Sequence, residues 1–253
     1  MILTPLVGIP LIQPGDNLPA IIQASLKDSA VTLEDGDVLV LAQKIVSKAE
    51  GRLVNLTQIV PSIQARQLAE IVQKDERFIE LVIRESNSIL RTRLGTMIVE
   101  HKLGFVCANA GIDHSNVWGP WGSQEDWVLL LPENPDQSAS RIRQALINSC
   151  GAQIGVVIID SHGRAWRNGV VGVAIGFSGI PGIVDLRGKA DLFGYQLRVT
   201  QVATVDELAA GASLLMGQAA ESSPVIYVHG FPYPLREASL EELIRPKELD
   251  LFR

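Results

Sequence analysis

The chain has 253 residues, of which 47% are hydrophobic and 20% charged, and its formal net charge is −6. This composition supports a substantial buried core and excludes an intrinsically disordered chain. The acidic balance argues against nucleic acid as the main partner, because phosphate backbones are bound by surfaces rich in lysine and arginine. We treat residues 1–253 as a single domain, in which a two-lobed organisation would have its seam near 117–137.

The sequence carries no strong membrane or export signal. Apolar runs such as Val156–Ile159 and Val170–Ile175 are much shorter than the ~20 residues of a membrane-spanning helix. Met1–Pro10 has no basic residue ahead of its apolar ones, so we expect no signal peptide. Cys107 and Cys150 are the only cysteines and form no CxxC pair, which favours a reduced, cytoplasmic protein.

Strand-like and helix-like patterns alternate along the chain, which predicts a mixed α/β fold. Apolar runs predict strands, in chain order, at Ile2–Val7, Val38–Ala42, Met97–Val99, Phe105–Ala108, Trp127–Leu131, Ile154–Ile159, Val170–Ile175, Leu197–Val199 and Val225–His229. Helical periodicity predicts helices at Leu18–Leu26, Ser62–Gln73, Arg77–Arg84, Ser138–Ser149 and Thr204–Ala220. Pro132–Asp136 is predicted to be a linker, Ser138 a helix cap, and Thr204 with Glu207 a capping box.

The polar segment Asp160–Arg164 interrupts two apolar runs and is the strongest local indication of a site. The preceding run is typical of a buried strand, so Asp160, Ser161, Arg164 and Arg167 are expected at its tip. Oxygen ligands suit a hard cation such as Mg²⁺, and arginine forks suit phosphate or carboxylate. A polar turn between two core strands explains the segment equally well.

A second oxygen-rich cluster, NAGIDHSN, occupies residues 109–116. Asp113 suits a divalent ion there and Asn116 suits a nucleotide edge or ribose. The alternative is an Asx-rich turn that satisfies its own backbone. His114 and His162 are assigned to supporting or surface positions, because a hard cation prefers oxygen ligands.

Two further features suit a phosphate-bearing ligand without requiring one. Lys44, Ser47 and Lys48 follow a predicted buried strand, where ammonium groups can reach phosphates, although a solvated helix start explains them too. The turn at Gly8–Ile12 can bring backbone amides against a nucleotide or serve only as a turn. No GxSxG, GxxxxGK[ST] or GxGxxG motif is present.

Taken in order, these clusters resemble the coenzyme F420-0 γ-glutamyl ligase family. The resemblance implies a fold peculiar to that family, in an α/β chain that forms an intertwined homodimer with the site near the interface. The elements that carry it span nearly the whole chain: VGIPLIQPGD (7–16), GDVLVLAQKIVSKAEGR (36–52), NAGIDHSN (109–116), LLPENPDQSA (130–139), IIDSHGRAWRNGVVGVAIGFSG (158–179), DLRGKADLFGYQL (185–197) and VATVDELAAGASLLMGQAAESSPV (202–225).

The resemblance also implies GTP-dependent amide formation. A terminal carboxylate of the deazaflavin precursor coenzyme F420-0 is activated as an acyl phosphate and then attacked by the amine of L-glutamate, and further rounds extend a γ-linked tail. Two divalent ions, Mg²⁺ or Mn²⁺, are expected, because they relieve the repulsion between a carboxylate and the phosphates. A monovalent ion such as K⁺ is left open, and neither nucleic acid nor membrane is expected as a partner.

The resemblance assigns site residues to three roles. For the metals it implies Asp113 and Asp160 at one ion, with Ser161 and Gln218 at the second. Arg164 and Arg167 are our own candidates for contacting the acidic substrate. Contacts with GTP are implied for Gly8, Ile9, Pro10, Leu11, Ser47 or Lys48, Asn116, and the segment 216–225, including Met216, Gly217, Gln218 and Ala219.

Gln218 departs from the family pattern, in which some members have a glutamate. An amide oxygen can ligate Mg²⁺ but adds no negative charge, so Glu221 would have to compensate. In the loop Val117–Asp126, Trp118 and Trp121 either shape a pocket for a flat aromatic ligand or form a surface loop. Two alternatives to the ligase stay open: a related amide ligase with a different acceptor, and a nucleotide-binding protein without turnover.

Overall fold

A computed structural model describes residues 1–251 and confirms the mixed α/β fold. The strands are β1 Ile2–Pro5, β2 Val38–Ala42, β3 Leu53–Asn55, β4 Ser86–Arg93, β5 Thr96–His101, β6 Val106–Ala108, β7 Trp127–Leu129, β8 Gly155–Arg164, β9 Arg167–Ser178, β10 Ile183–Asp185, β11 Gln201–Ala203 and β12 Val225–His229. The α-helices are α1 Leu18–Asp28, α2 Gln43–Ala49, α3 Ile63–Val72, α4 Glu76–Arg84, α5 Pro135–Cys150 and α6 Thr204–Met216. Over these residues, no helix is both long and apolar enough to cross a bilayer.

The central sheet has the order β1-β12-β2-β8-β9, in which only β2 and β8 run parallel. Alternate side chains of a strand point to opposite faces. Leu39 and Leu41 therefore join the core beneath α1 and α5, while Val38 and Val40 join the core beneath α6. A continuous apolar run is what a strand covered on both faces requires, which explains why β2 was predictable from sequence.

A separate hydrophobic core lies in the middle of the chain, between Leu53 and Leu130. There β4, β5 and β6 form a three-stranded sheet, β3 pairs with β7, and α3 and α4 pack against them. Phe78, Ile79 and Met97 are buried in this core. The number of domains stays a prediction.

Several predicted boundaries were wrong for local reasons. The linker Pro132–Asp136 in fact contains the start of α5, which begins at Pro135 and is capped by Asn134 rather than by Ser138. The predicted capping box does not form, because the Thr204 hydroxyl donates to the Pro181 carbonyl (2.6 Å) and Ala203 precedes the helix without a side-chain cap. α6 ends at Met216 rather than at Ala220.

The strand predictions also need three corrections. The prediction of a strand at Leu197–Val199 was wrong, and β11 lies at Gln201–Ala203 instead. β3, β4 and β10 were missed, since their sequences lack sustained apolar alternation. The strand expected to end at Ile159 continues through the polar segment to Arg164, so Asp160 and Ser161 lie within β8 and not at its tip.

Candidate active site

A cavity of about 700 Å³ lies at the carboxyl ends of the two parallel strands. β2 ends at Ala42, opposite Ile159 of β8, and the chain turns directly into α2. β8 continues to Arg164, and beyond Ile159 it pairs with β9 alone among the strands of residues 1–251. Ligands of open α/β sheets bind in such crevices, which makes this cavity the candidate active site.

Most of the predicted site residues line this cavity, although they come from distant parts of the chain. They are Ile9, Pro10, Leu11, Lys48, Asp113, Asn116, Asp160, Ser161, Met216, Gly217, Gln218 and Ala219. Gly8, Ser47, Arg164 and Arg167 lie outside it.

Asp113 is held at the cavity wall by its backbone and by two side chains of α2. Its backbone N–H donates to the Leu129 carbonyl (3.0 Å), and the Leu129 N–H donates back to the Asp113 carbonyl (2.9 Å). Gln43 Nε2 donates to Asp113 Oδ2 (2.7 Å), and Lys44 Nζ lies 3.5 Å from the same oxygen. Burial, and then the negative charge of Asp160, raise the pKa of Asp113 to about 6 despite the opposing effect of Lys44.

Asp160 is paired with His162, two residues further along the same strand. Residues i and i+2 of a strand share a face, and His162 Nε2 lies 3.1 Å from Asp160 Oδ2. Each side chain is only 12% exposed, and the His162 ring packs against Phe105 with 5.3 Å between centroids. His162 therefore supports Asp160, whereas His114 stacks on Phe78 instead.

The lysines of α2 fasten the segment 109–116. Lys44 Nζ donates to both the carbonyl oxygen (3.1 Å) and Oγ (2.9 Å) of Ser115, and Lys48 Nζ donates to the Asn116 carbonyl (2.7 Å). Asn116 Nδ2 in turn donates to the Ala219 carbonyl (2.9 Å), which links this segment to the loop after α6. Burial, followed by the charge of Lys44, lowers the pKa of Lys48.

Gln218 meets Ser161 across the cavity, with Ser161 Oγ donating to Gln218 Oε1 (3.0 Å). The loop that carries Gln218 begins at Gly217, whose φ of +72° and close approach to Glu221 require glycine: an added Cβ would lie 2.1 Å from Glu221 Cδ. Glu221 accepts the backbone N–H of Ala219 (2.8 Å), and such backbone donors lower the pKa of Glu221. Its carboxylate thus orders the loop.

The donor set fits a hard divalent cation. Asp113, Asp160, Ser161 and Gln218 offer carboxylate, hydroxyl and amide oxygens, the ligand types that Mg²⁺ prefers. Among residues 1–251 no three His, Cys, Asp or Glu side chains converge as a metal site, so further ligands would come from water and substrate phosphates, as is usual for Mg²⁺. Burial first, and then the negative charge of Asp160, raise the pKa of Asp113, and a bound cation would offset both effects by favouring the ionised carboxylate.

The four predicted residues outside the cavity have different positions. Arg164 is half-buried and Arg167 exposed at the turn that joins β8 to β9. Ser47 is fully buried and its hydroxyl donates to Gln43 Oε1 (2.8 Å), so of the pair Ser47 or Lys48 only Lys48 reaches the cavity. Gly8, whose φ is +77°, directly precedes Ile9–Leu11, which line the cavity.

The tryptophan loop combines a structural residue and a cavity residue. Trp121 packs edge-on against Trp127 with 5.1 Å between centroids, and its carbonyl accepts the Trp127 Nε1 hydrogen (2.6 Å). Gly119 is pressed against Trp127, where an added Cβ would lie 1.9 Å from the indole. Trp118 lines the cavity and is 71% exposed, so its indole face is available to a ligand.

Sequence reasoning missed the support that Gln43 gives to Asp113, and it left His162 between a supporting and a surface position. Strand periodicity could have paired Asp160 with His162, because residues i and i+2 share a face. Gln43 had no comparable signal, since its contact with Asp113 joins residues 70 positions apart.

Fold and site together define an α/β protein with an oxygen-rich, lysine-flanked cavity at the ends of two parallel strands. A family model described as F420-0:Gamma-glutamyl ligase matches residues 7–230. The chain belongs to this family and is an amino-acid ligase, an enzyme that forms C–N bonds.

Three relatives are similar to the chain over nearly their full length, and each is named coenzyme F420:L-glutamate ligase. The protein of Methanothermobacter thermautotrophicus is 43% identical over 248 residues, which cover 97% of this chain and 96% of the relative. That of Methanopyrus kandleri is 44% identical over 246 residues, covering 96% and 93%. That of Archaeoglobus fulgidus is 41% identical over 249 residues, covering 98% and 95%.

Proposed function

We propose that this chain adds L-glutamate to coenzyme F420-0 with GTP as the energy source, through an acyl phosphate, and repeats the reaction to extend a γ-linked tail. The observation that carries the proposal is the convergence of Asp113, Asp160, Ser161 and Gln218 on one cavity that Lys48 and Asn116 also line. The names of the relatives support the two substrates. The free state of both cysteines agrees with a cytoplasmic location.

The reaction requires two balanced steps. A carboxylate oxygen of the acceptor attacks the γ-phosphorus of GTP, GDP leaves with the bridging oxygen, and an acyl phosphate forms. The amine of L-glutamate then attacks the acyl carbon, inorganic phosphate leaves, and the amine loses a proton as the amide forms. Divalent ions, when bound, neutralise the phosphate and carboxylate charges that would otherwise repel each other.

The cavity offers a division of these tasks among its residues. Asp113 and Asp160 would hold one ion, and Ser161 and Gln218 would hold the second. The backbone of Ile9–Leu11 and the loop after α6 would contact the nucleotide, with Asn116 between them. The Lys48 ammonium, held at the cavity wall by the Asn116 carbonyl, would offset phosphate charge.

An intertwined homodimer is the second part of the proposal. Leu192 and Phe193 are 97% and 94% exposed, and Tyr195 is also exposed, which is a large apolar surface for a single chain. Association through this segment would shield these side chains from water. Sedimentation equilibrium of wild type and of Leu192→Glu/Phe193→Glu tests this, with a dimer expected only for wild type.

The activity is tested by incubating the protein with GTP, Mn²⁺, L-glutamate and coenzyme F420-0, while GDP and product masses are followed. We expect one GDP per added glutamate and products that grow by single glutamate residues. GDP release that requires both acceptor and glutamate supports the ligase. Asp113→Asn is the matched inactive variant, and Thr204→Val, which removes a buried hydroxyl from the start of α6, is the folding control.

Three outcomes would contradict the proposal. Product formation with another acceptor but not with coenzyme F420-0 would indicate a related ligase. GTP binding without any GDP would indicate a protein without turnover. Full ligation by Asp113→Asn and by Asp160→Asn would overturn the assignment of the metal-binding carboxylates.

A further inference from the structure

Gln43 joins the first turn of α2 to the carboxylate of Asp113. It follows the last residue of β2 directly, and it is 1% exposed although its side chain is polar. Its Nε2 donates to Asp113 Oδ2 (2.7 Å), and its Oε1 accepts the hydroxyl hydrogen of Ser47 (2.8 Å). Ser47 is fully buried one turn further along the helix. A continuous chain of hydrogen bonds therefore runs from the helix interior to the cavity wall.

The hydrogen bonds fix which end of the Gln43 amide faces the carboxylate. If the amide were rotated by 180°, its carbonyl oxygen would meet a carboxylate oxygen, and two acceptors would face each other without a donor. The Ser47 hydroxyl can either donate or accept, so the Asp113 carboxylate selects the observed orientation, and Ser47 then donates to the amide oxygen and restrains its position. A buried polar group left without its partner is destabilising, so both partners hold the amide in place.

The two oxygens of Asp113 are consequently not equivalent. Oδ2 accepts from Gln43 and lies 3.5 Å from Lys44 Nζ, whereas within residues 1–251 no hydrogen bond reaches Oδ1. The protein thus restrains one oxygen and leaves the other for a ligand. Groups that orient metal-binding side chains in this way commonly change metal affinity by 10–100-fold when they are removed.

We propose that Gln43, held in place by Ser47, is a positioning residue that holds Asp113 in the orientation that binds the divalent ion. This inference rests on the proposed function, because it requires Asp113 to be a metal ligand. It also gives the buried Ser47 a role that does not require contact with the nucleotide.

The test measures binding of Mn²⁺ alone, without nucleotide or acceptor, by the electron paramagnetic resonance signal of the free ion. Gln43→Met keeps the volume and removes both hydrogen bonds, and we expect its dissociation constant for Mn²⁺ to rise about tenfold or more. Ser47→Ala is expected to raise it about three- to tenfold, because the amide oxygen loses the partner that restrains it. Since Ser47 acts through Gln43, the double variant should be no worse than Gln43→Met.

Thr204→Val is the matched control, since it removes another buried hydroxyl donor at a residue that does not line the cavity, and its Mn²⁺ affinity should equal that of wild type. Unchanged affinity in Gln43→Met, or equal losses from Ser47→Ala in the wild-type and Gln43→Met backgrounds, would overturn the inference. If Gln43→Met fails to fold, Ser47→Ala alone decides: an unchanged dissociation constant refutes the proposal.

Failure of the proposed function is separable from failure of this inference. If wild type itself does not bind Mn²⁺, or if Asp113→Asn binds it as wild type does, then the metal assignment is wrong. If Asp113→Asn loses binding while Gln43→Met retains it, only the positioning role of Gln43 is wrong.

Discussion

Asp113→Asn should stabilise the metal-free protein at neutral pH while abolishing its turnover. The folded environment raises the pKa of Asp113 from 3.8 to about 6, mainly through burial and the charge of Asp160. At 1.36 kcal/mol per pKa unit, keeping Asp113 ionised costs about 3 kcal/mol at pH 7.5. The favourable ion pair with Lys44 is already included in this shifted pKa. Asparagine removes the whole cost, so we expect a net gain of up to about 3 kcal/mol.

This gain has a defined pH dependence. A raised folded-state pKa means that the wild type loses stability as the pH rises through about 6, whereas below 3.8 the carboxyl is protonated in both folded and unfolded states. The advantage of the asparagine variant should therefore be full above pH 7 and vanish near pH 4.

Differential scanning fluorimetry with chelator measures this prediction. For a chain of this size 1 kcal/mol corresponds to about 2–4 °C, so Asp113→Asn should melt up to about 6–12 °C higher than wild type at pH 7.5. Saturating Mn²⁺ should stabilise only the wild type and reduce or reverse the difference. A correctly folded variant that melts at or below the wild-type temperature at pH 7.5 without metal would refute the reasoning.

Three further predictions concern other parts of the cavity. Gln218→Glu adds a carboxylate beside Ser161 and should tighten binding of a second Mn²⁺ about tenfold. A titration with Mn²⁺ in the presence of GDP measures this affinity. Unchanged stoichiometry and affinity would count against Gln218 as a ligand. Trp118→Ala should raise KM for GTP or for coenzyme F420-0 about tenfold, because stacking on the indole is lost. Trp121→Ala, which removes the contact with Trp127, should mainly lower Tm. If Trp118→Ala leaves KM for both substrates unchanged, Trp118 does not contact a ligand. Arg167→Ala and Arg164→Ala, each tested singly by steady-state kinetics, should raise KM for the acceptor about tenfold and leave KM for GTP unchanged. A raised KM for GTP with an unchanged KM for the acceptor would contradict this prediction.

The sequence predicted the parts of the fold in which local pattern and environment agree. The bounds of β2 and β12 are confirmed to the residue, because the sheet buries Val38–Leu41 and the apolar residues Val225, Ile226 and Val228. The helix predicted at Ser62–Gln73 is confirmed as α3, and the structure shows that Ser62 caps it, since the Ser62 hydroxyl accepts the Ala65 N–H (3.2 Å). Asp113 and Asp160 were also predicted to share one site, but that prediction rested on the family resemblance carried by the order of the motifs, not on local sequence pattern.

The remainder depended on contacts between distant residues. β4 is half-exposed, and neither its composition nor its periodicity distinguishes it from a loop until β5 pairs with it. The Thr204 capping box failed because Pro181, 23 residues earlier, offers the hydroxyl a buried carbonyl. The polar residues of β8 were placed at a turn because sequence gives no sign that β9 continues to pair with them up to Arg164.

The first turns of α2 determine how the two halves of the candidate metal site meet. Asp160 belongs to a strand of the central sheet, whereas Asp113 is bridged to Leu129, whose strand belongs to the small sheet β3–β7. Gln43 contacts Asp113 directly, and Lys44 and Lys48 hold the segment that follows it. α2 begins where β2 ends, opposite Ile159 of β8. These three side chains therefore hold Asp113 in a fixed position relative to β8, the strand that carries Asp160. Changes in α2 should therefore alter metal binding even where they touch neither metal nor nucleotide.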